Sequence, residues 1–317
     1  MNINYNQSQK IRKIERRLKK DNLLNSKYLV LKLQCDCSGF GLFTYYINFI
    51  GEIEYAVFHN MIPVIDMQTY RNSMHREGEV GKINTWERFF EQPCNIGLEE
   101  AMKSHSARYF WKDFPEHRPN DSLDFLCNDD LLSYYHRIAK KYVRINKQLK
   151  EQYDATYEEI IGDKHCVGVL ARGTDYSDFK PYANPIQPTF EQLAEKVDEC
   201  LKQYECTHVF VATEDASMLR MFKNRYGEQL LYIEQDRFEN VNSYLYENSN
   251  FKKTDNIELT VKYLEAIYLL SKCDGIVGGR TSGSVGACVM ADNYRFRHIL
   301  TYGRYGIDDK ILNRVSI

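Results

Sequence analysis

From Cys166 onward the chain alternates short aliphatic runs with helix-like segments, and that rhythm leaves very few folds open. The runs are CVGVLA (166–171), HVFVAT (208–213), LLYIEQ (230–235), GIVGG (275–279) and HILTY (298–302). Such short β-rich runs, nearly continuous in apolar residues, suit strands buried on both faces. Alternation with helices then implies a parallel sheet covered on both sides. Local punctuation agrees. Thr189 stands three residues before Gln192, a capping-box spacing, and Gly227 follows SMLRMFKNRY where a terminating glycine belongs.

The first half opens the same way. YLVLKL (28–33) reads as a strand, the turn from Cys37 to Phe43 is rich in glycine, a helical pattern runs to about Asn60, and MIPVIDM (61–67) reads as a second strand. That is a βαβ unit whose first turn sets backbone N–H groups at a helix N-terminus. Residues 68–125 read as irregular around NTWERFFEQP (84–93), and LLSYYHRIAKKYVRINKQLKEQY lies within one long expected helix from Asp129 to about Ile161. A chain of 317 residues exceeds one ordinary core. The expected architecture is α/β, with two Rossmann-like domains facing each other across a cleft. The first, residues 1–160, carries the basic N-terminal segment; the second is residues 161–317.

Composition narrows the function classes. A formal charge of −2 gives no global basic field for nucleic acid. The nine cysteines are odd in number and lack framework spacing, which predicts reduced thiols in a cytoplasmic protein. Cys35-Asp36-Cys37 has no second Cys or His pair to complete a zinc site. No run reaches membrane-spanning length and no signal peptide opens the chain. KIRKIERRLKK (10–20) sets Ile11, Ile14 and Leu18 on one face of a basic helix. It reads as a solvated surface helix or as a peripheral contact at the inner face of a membrane.

In open parallel sheets, ligands bind beyond the carboxyl ends of the strands. Three strand ends here carry unusual chemistry. The first is Arg172-Gly173-Thr174-Asp175, with Asp178 and Lys180 close behind. Arg172 suits a bidentate clamp on a diphosphate, or a structural pair with Asp175 or Glu214. The second is Glu214-Asp215, where Asp215 has the character of an N-cap and Glu214 can accept from a ribose, a base or an acceptor hydroxyl. The third is Gly278-Gly279-Arg280-Thr281-Ser282-Gly283-Ser284, small residues opening a helix. It reads as an anion site or as a tight turn, and it lacks the lysine spacing of an ATP-binding P-loop.

Taken in order, these segments resemble the α-1,6-fucosyltransferases and the bacterial nodulation fucosyltransferases, over roughly residues 30–300. VLARGTD is similar to that family's H-x-R-R-x-D, matching at Arg172 and Asp175 and departing at Leu170 and Gly173. Ala212-Thr213-Glu214-Asp215 resembles its A-T-D-D, Thr281-Ser282 its S-S pair, Ser38-Gly39-Phe40-Gly41 its glycine-rich turn, and Trp86-Glu87-Arg88-Phe89-Phe90 its W-E-x-x-F. The family lysine after the strand-end aspartate falls on Tyr176, leaving Lys180 as the nearby cation, and the guanine-reading aspartate lands beside Glu265.

The resemblance implies a GT-B-like, inverting, metal-independent glycosyltransferase with a nucleotide-sugar donor, GDP-fucose first among them. The acceptor would be a glycan or a lipid-linked oligosaccharide in surface polysaccharide or glycoconjugate synthesis. No D-x-D occurs to bridge a diphosphate through a divalent ion. Arg172, Thr174, Lys180, Glu214, Asp215, Glu265, Arg280, Thr281 and Ser282 would face the donor from the second domain. Gly39, Phe40 and Gly41 would do so from the first, which would be the acceptor side. Asp178, or else Asp175, would deprotonate the acceptor hydroxyl. Three other readings stay open: another nucleotide-sugar donor, a non-catalytic nucleotide- or sugar-binding module, and an NAD-dependent oxidoreductase. For the last, the dinucleotide fingerprint fails at Phe43.

Overall fold

A computed structural model describes residues 28–33, 40–104, 108–112, 118–173, 180–239 and 256–307. The chain divides into two compact units. One holds residues 1–119 and 130–149, the other residues 120–129 and 150–317.

In the first unit, β1 (Tyr28–Leu33) pairs in parallel with both β2 (Ile62–Ile65) and β3 (Arg108–Lys112), giving the order β2-β1-β3. Sequence periodicity left β3 inside an irregular stretch; the five residues become a strand because Leu29 to Leu33 of β1 offer them a full parallel ladder. Helix α1 (Leu42–Phe58) links β1 to β2 and is buried on nearly every face, as its all-round apolar sequence requires. Two carboxyls are buried with it. Glu54 receives the hydroxyls of Tyr134 and Tyr135 at 2.9 and 3.3 Å, whereas both oxygens of Glu52 lack a hydrogen-bond partner among the described residues. Burial alone lifts the Glu52 pKa well above its ordinary 4.5.

The W-E-x-x-F segment is a plug at the edge of β2. Trp86, Phe89 and Phe90 are fully buried; the Trp86 and Phe90 rings pack on each other and against Phe49 and Tyr46 of α1. The Gln92 side-chain amide closes both backbone groups of Ile65 at 2.9 Å, so a side chain replaces a missing strand neighbour. Asn84 does the same for Met67 N–H, and its amide nitrogen also donates to the Ile65 carbonyl.

After α2 (Leu98–Lys103) and α3 (Leu123–Leu126), the expected long helix proves to be two, α4 (Asp129–Tyr142) and α5 (Lys147–Ile160). The break at Val143–Asn146 is enforced from outside. Ile145 forms a β-bridge with Phe90, and the Arg144 carbonyl accepts from Glu91 N–H. Asn146 then caps the next helix by accepting from Gln148 N–H.

The second unit is the expected parallel sheet. Its strands are β4 (Cys166–Leu170), β5 (His208–Ala212), β6 (Leu230–Leu231), β7 (Gly275–Gly278) and β8 (Phe296–Ile299), in the order β6-β5-β4-β7-β8, all parallel. Helices α6 (Phe190–Gln203), α7 (Ala216–Tyr226), α8 (Asn256–Leu270) and α9 (Ser282–Met290) complete it. Val167, Val169, Val209, Val211 and Val277 pack with Leu193, Val197, Leu219 and Phe222 from α6 and α7. Gly168 and Leu170 point the other way, towards α8 and α9. Each fully buried aliphatic contributes about 1.5–3 kcal/mol. The capping box at Thr189, the Asp215 cap and the left-handed Gly227 all form as read. Strand β6 is shorter than LLYIEQ suggested. Beyond Leu231 the backbone carbonyls of Ile233 and Gln235 are taken by the Arg237 guanidinium instead of a ladder partner.

Candidate functional site

The strand order places β4 first in sequence and central in space. Its neighbours β5 and β7 run outward in opposite directions, so the topology reverses between β4 and β7. That reversal is where α/β sheets open a crevice at their carboxyl ends. Leu170, the last residue of β4, is in register with Ala212 on one side and Gly278 on the other. The three unusual strand ends of the sequence therefore emerge side by side.

Arg172 leaves β4 two residues past its end, the backbone before it still tied to β5 through Ala171 N–H donating to Ala212 O at 3.0 Å. Its Nη1 lies 2.9 Å from Glu214 Oε1, with both side chains largely covered, at 22% and 14% exposed. A guanidinium carries five N–H groups in a planar fork, the geometry that matches carboxylate and phosphate oxygens. Asp215 is the α7 cap: its Oδ1 accepts from Met218 N–H at 2.9 Å and from Ser217 Oγ at 2.7 Å. Gly173 has to be glycine for that geometry. A Cβ there would fall 2.2 Å from Asp215 Oδ2, far inside any real contact. Phe238 backs the same strand end, donating to Glu214 O at 2.8 Å and accepting from Ala216 N–H.

On the other side of β4, Thr281 caps α9 by accepting from Ser284 N–H at 3.0 Å, and Ser284 Oγ donates to Gly279 O at 2.6 Å. The first-turn N–H groups of a helix have no intrahelical acceptor, and together with the helix dipole they favour an anion. Thr281 and Ser282 are both half-buried at this end. Arg280 does not point into the turn. Its Nε donates to Asp121 O at 2.6 Å, and Asp121 also stands 3.8 Å from Arg304.

Two residues that sequence reading passed over belong here. Gln187 is buried beside the turn: its Nε2 donates to Arg280 O at 3.2 Å. Tyr263 of α8 brings its hydroxyl to within 2.2 Å of where a Cβ on Gly283 would be, so that glycine admits the ring. Neither sits in a strand-end motif; the glycines opposite them were the available signal.

The remaining expected residues divide. Thr174, Asp175, Asp178 and Gly39 lie outside the described residues, as do Cys35, Cys37 and the Lys10–Lys20 segment. Lys180 is exposed, in a left-handed conformation at φ 49°. Glu265 is buried where α5 packs on α8, accepting from Thr156 Oγ1 at 2.7 Å and Lys262 Nζ at 2.8 Å. In the first unit Phe40 accepts from Ser73 Oγ, and Gly41 is the α1 cap position, with open space where a Cβ would be. No group of His, Cys, Asp and Glu that could hold a metal occurs among the described residues. No helix among them is long and apolar enough to cross a membrane.

The fold is that of the GT-B fucosyltransferases, an α/β architecture with parallel sheets. A NodZ α-1,6-fucosyltransferase co-crystallised with GDP is similar, with a TM-score of 0.51 at 12% identity over 84% of this chain and 93% of that one. A mutant of Arabidopsis thaliana FUT1 in complex with GDP gives a TM-score of 0.53 at 12% identity, covering 94% and 77%. POFUT1 in complex with GDP gives 0.52 at 12%, covering 89% and 99%. No protein-family model matches the sequence, and no curated protein matches it either.

Proposed function

We propose that the chain is an inverting glycosyltransferase that takes a nucleotide-diphosphate sugar, GDP-fucose in the first instance. The observation that carries this reading is the side-by-side emergence of the Arg172–Glu214 pair and the α9 N-terminus at the switch point. A diphosphate lying between them meets a guanidinium on one side and helix N–H groups on the other. Both are aimed where negative charge grows as the glycosidic bond to the leaving phosphate breaks, the electrostatic contribution that dominates many such reactions. Glu214 keeps the guanidinium in place, and Arg280 anchors the turn through Asp121. Thr174 and Lys180 would face the donor, and Asp178, or else Asp175, would take the acceptor proton. The nucleotide is supported by the GDP complexes of the similar structures, and the sugar by a POFUT1 complex with GDP-fucose. The acceptor reading, a glycan or lipid-linked oligosaccharide met in the cytoplasm, rests on sequence alone.

The test is ligand-induced stabilisation with GDP, UDP, dTDP, CMP, ADP and NAD, with and without EDTA, on wild type and Arg172→Ala. A GDP-selective rise in melting temperature that survives EDTA and disappears in Arg172→Ala supports the assignment. A preference for UDP or dTDP keeps glycosyl transfer and discards fucose. Stabilisation by NAD alone, or by nothing, overturns it. GDP binding without release of sugar onto any acceptor would make the chain a binding module.

A further inference from the structure

We infer that Gln187 is a donor-recognition residue, its Oε1 accepting a hydrogen bond from a hydroxyl of the nucleotide sugar bound at the Gly279–Ser282 turn. The inference rests on that turn being the donor site.

Gln187 is 6% exposed, and its Oε1 is buried without a hydrogen-bond partner among the described residues. Its amide nitrogen is occupied twice, donating to Pro185 O at 3.1 Å and to Arg280 O at 3.2 Å. Those two carbonyls fix which end of the amide is which. Turned over, the amide would set its oxygen against both of them and lose two bonds. The oxygen is thus committed to the other side, against the turn. Space confirms the direction: a Cβ on Gly279 would lie 2.2 Å from Oε1 and 2.8 Å from Pro188 Cδ. Gly279 therefore has to be bare for the amide to approach. Burying an acceptor unmatched is costly, so an oxygen that is rigidly placed yet unmatched beside a helix N-terminus calls for a donor brought by the ligand. Phosphate oxygens cannot supply one. Hydroxyls can, and a nucleotide sugar carries them on the ribose and on the transferred sugar.

Calorimetric titration of wild type and Gln187→Met with GDP, 2′-deoxy-GDP, 3′-deoxy-GDP and GDP-fucose separates the two sources. A ribose contact is expected to cost wild type about tenfold in affinity for one deoxy analogue, a hydrogen bond's worth. A sugar contact is expected to make GDP-fucose bind about tenfold tighter than GDP. In either case Gln187→Met abolishes that ratio and leaves the affinity of the ligand lacking the hydroxyl unchanged. Equal weakening of every ligand in Gln187→Met would show that the amide merely holds the turn, and overturns the inference while the donor site stands. So does a wild type that discriminates none of the four, a result that needs no variant. A wild type that binds no guanine nucleotide overturns the donor site itself, and this inference with it.

Discussion

The Arg172 guanidinium and the Glu214 carboxylate meet at 2.9 Å although 42 positions separate them, because β4 and β5 end level with each other. The carboxylate orients the cation that we propose as the anion-binding group of its strand end. The two alternatives open to Arg172 in the sequence, clamp or structural pair, are therefore compatible.

Arg172→Ala removes the clamp, and Arg172→Lys keeps the charge but loses the planar fork. Charge-assisted hydrogen bonds contribute about 1.5–3 kcal/mol, so Arg172→Lys is expected to raise the Kd for GDP by roughly 10- to 100-fold. Isothermal titration decides it. A lysine variant that binds like wild type would remove Arg172 from the donor site.

Gly173→Ala forces a methyl group into Asp215, which must abandon the α7 cap or shift the strand end. Overpacking costs about 1–3 kcal/mol, and a lost cap about 1 kcal/mol more. Urea unfolding should show a loss in that range. Restoring stability with Gly173→Ala/Asp215→Ser, whose shorter side chain still caps, checks the cause.

Glu52 makes stability depend on pH. Its folded-state pKa is raised, so the neutral form fits the fold, and its contribution is intact below the ordinary 4.5 and is lost as pH rises towards the folded value. Glu52→Gln removes that dependence. The variant should gain on wild type between pH 5 and pH 8, by up to about 1.4 kcal/mol per pH unit. Melting curves across that range that run parallel for the two proteins would refute it.

Gln92→Leu keeps the volume but leaves the Ile65 N–H without its acceptor. A buried unsatisfied donor costs about 1–3 kcal/mol, and the Tm should fall accordingly. Gln92→Glu, which retains the acceptor, should recover part of the loss at low pH.

Much of the second unit was legible because both of its signals are local: aliphatic runs for strands, and cap residues at Thr189 and Asp215 for helix starts. Strand β3 was not, since RYFWK has the composition of an aromatic surface segment and becomes a strand only beside β1. The break between α4 and α5 was hidden for a similar reason. Val143–Asn146 fits a helical pattern, and only the bridge from Ile145 to Phe90 prevents it. At the site, charged motifs point to Arg172 and Glu214 and equally to Arg280, whose engagement by Asp121 is a tertiary contact that no local motif encodes. Gln187 carried no motif at all. Its role is written in the bareness of Gly279.

The outward winding of the second sheet also dictates when the candidate site can form. Strand β4 is made early, yet its β7 neighbour follows roughly a hundred residues later, with Cys166 N–H bonding the Asp274 carboxylate across 108 positions. No local hairpin can nucleate such a pairing, and folding of high-contact-order sheets is slow. During synthesis the β4 strand end that carries Arg172 must wait until β7 and α9 have left the ribosome. A chain stopped anywhere before Met290 holds the cation without the helix that completes the pair.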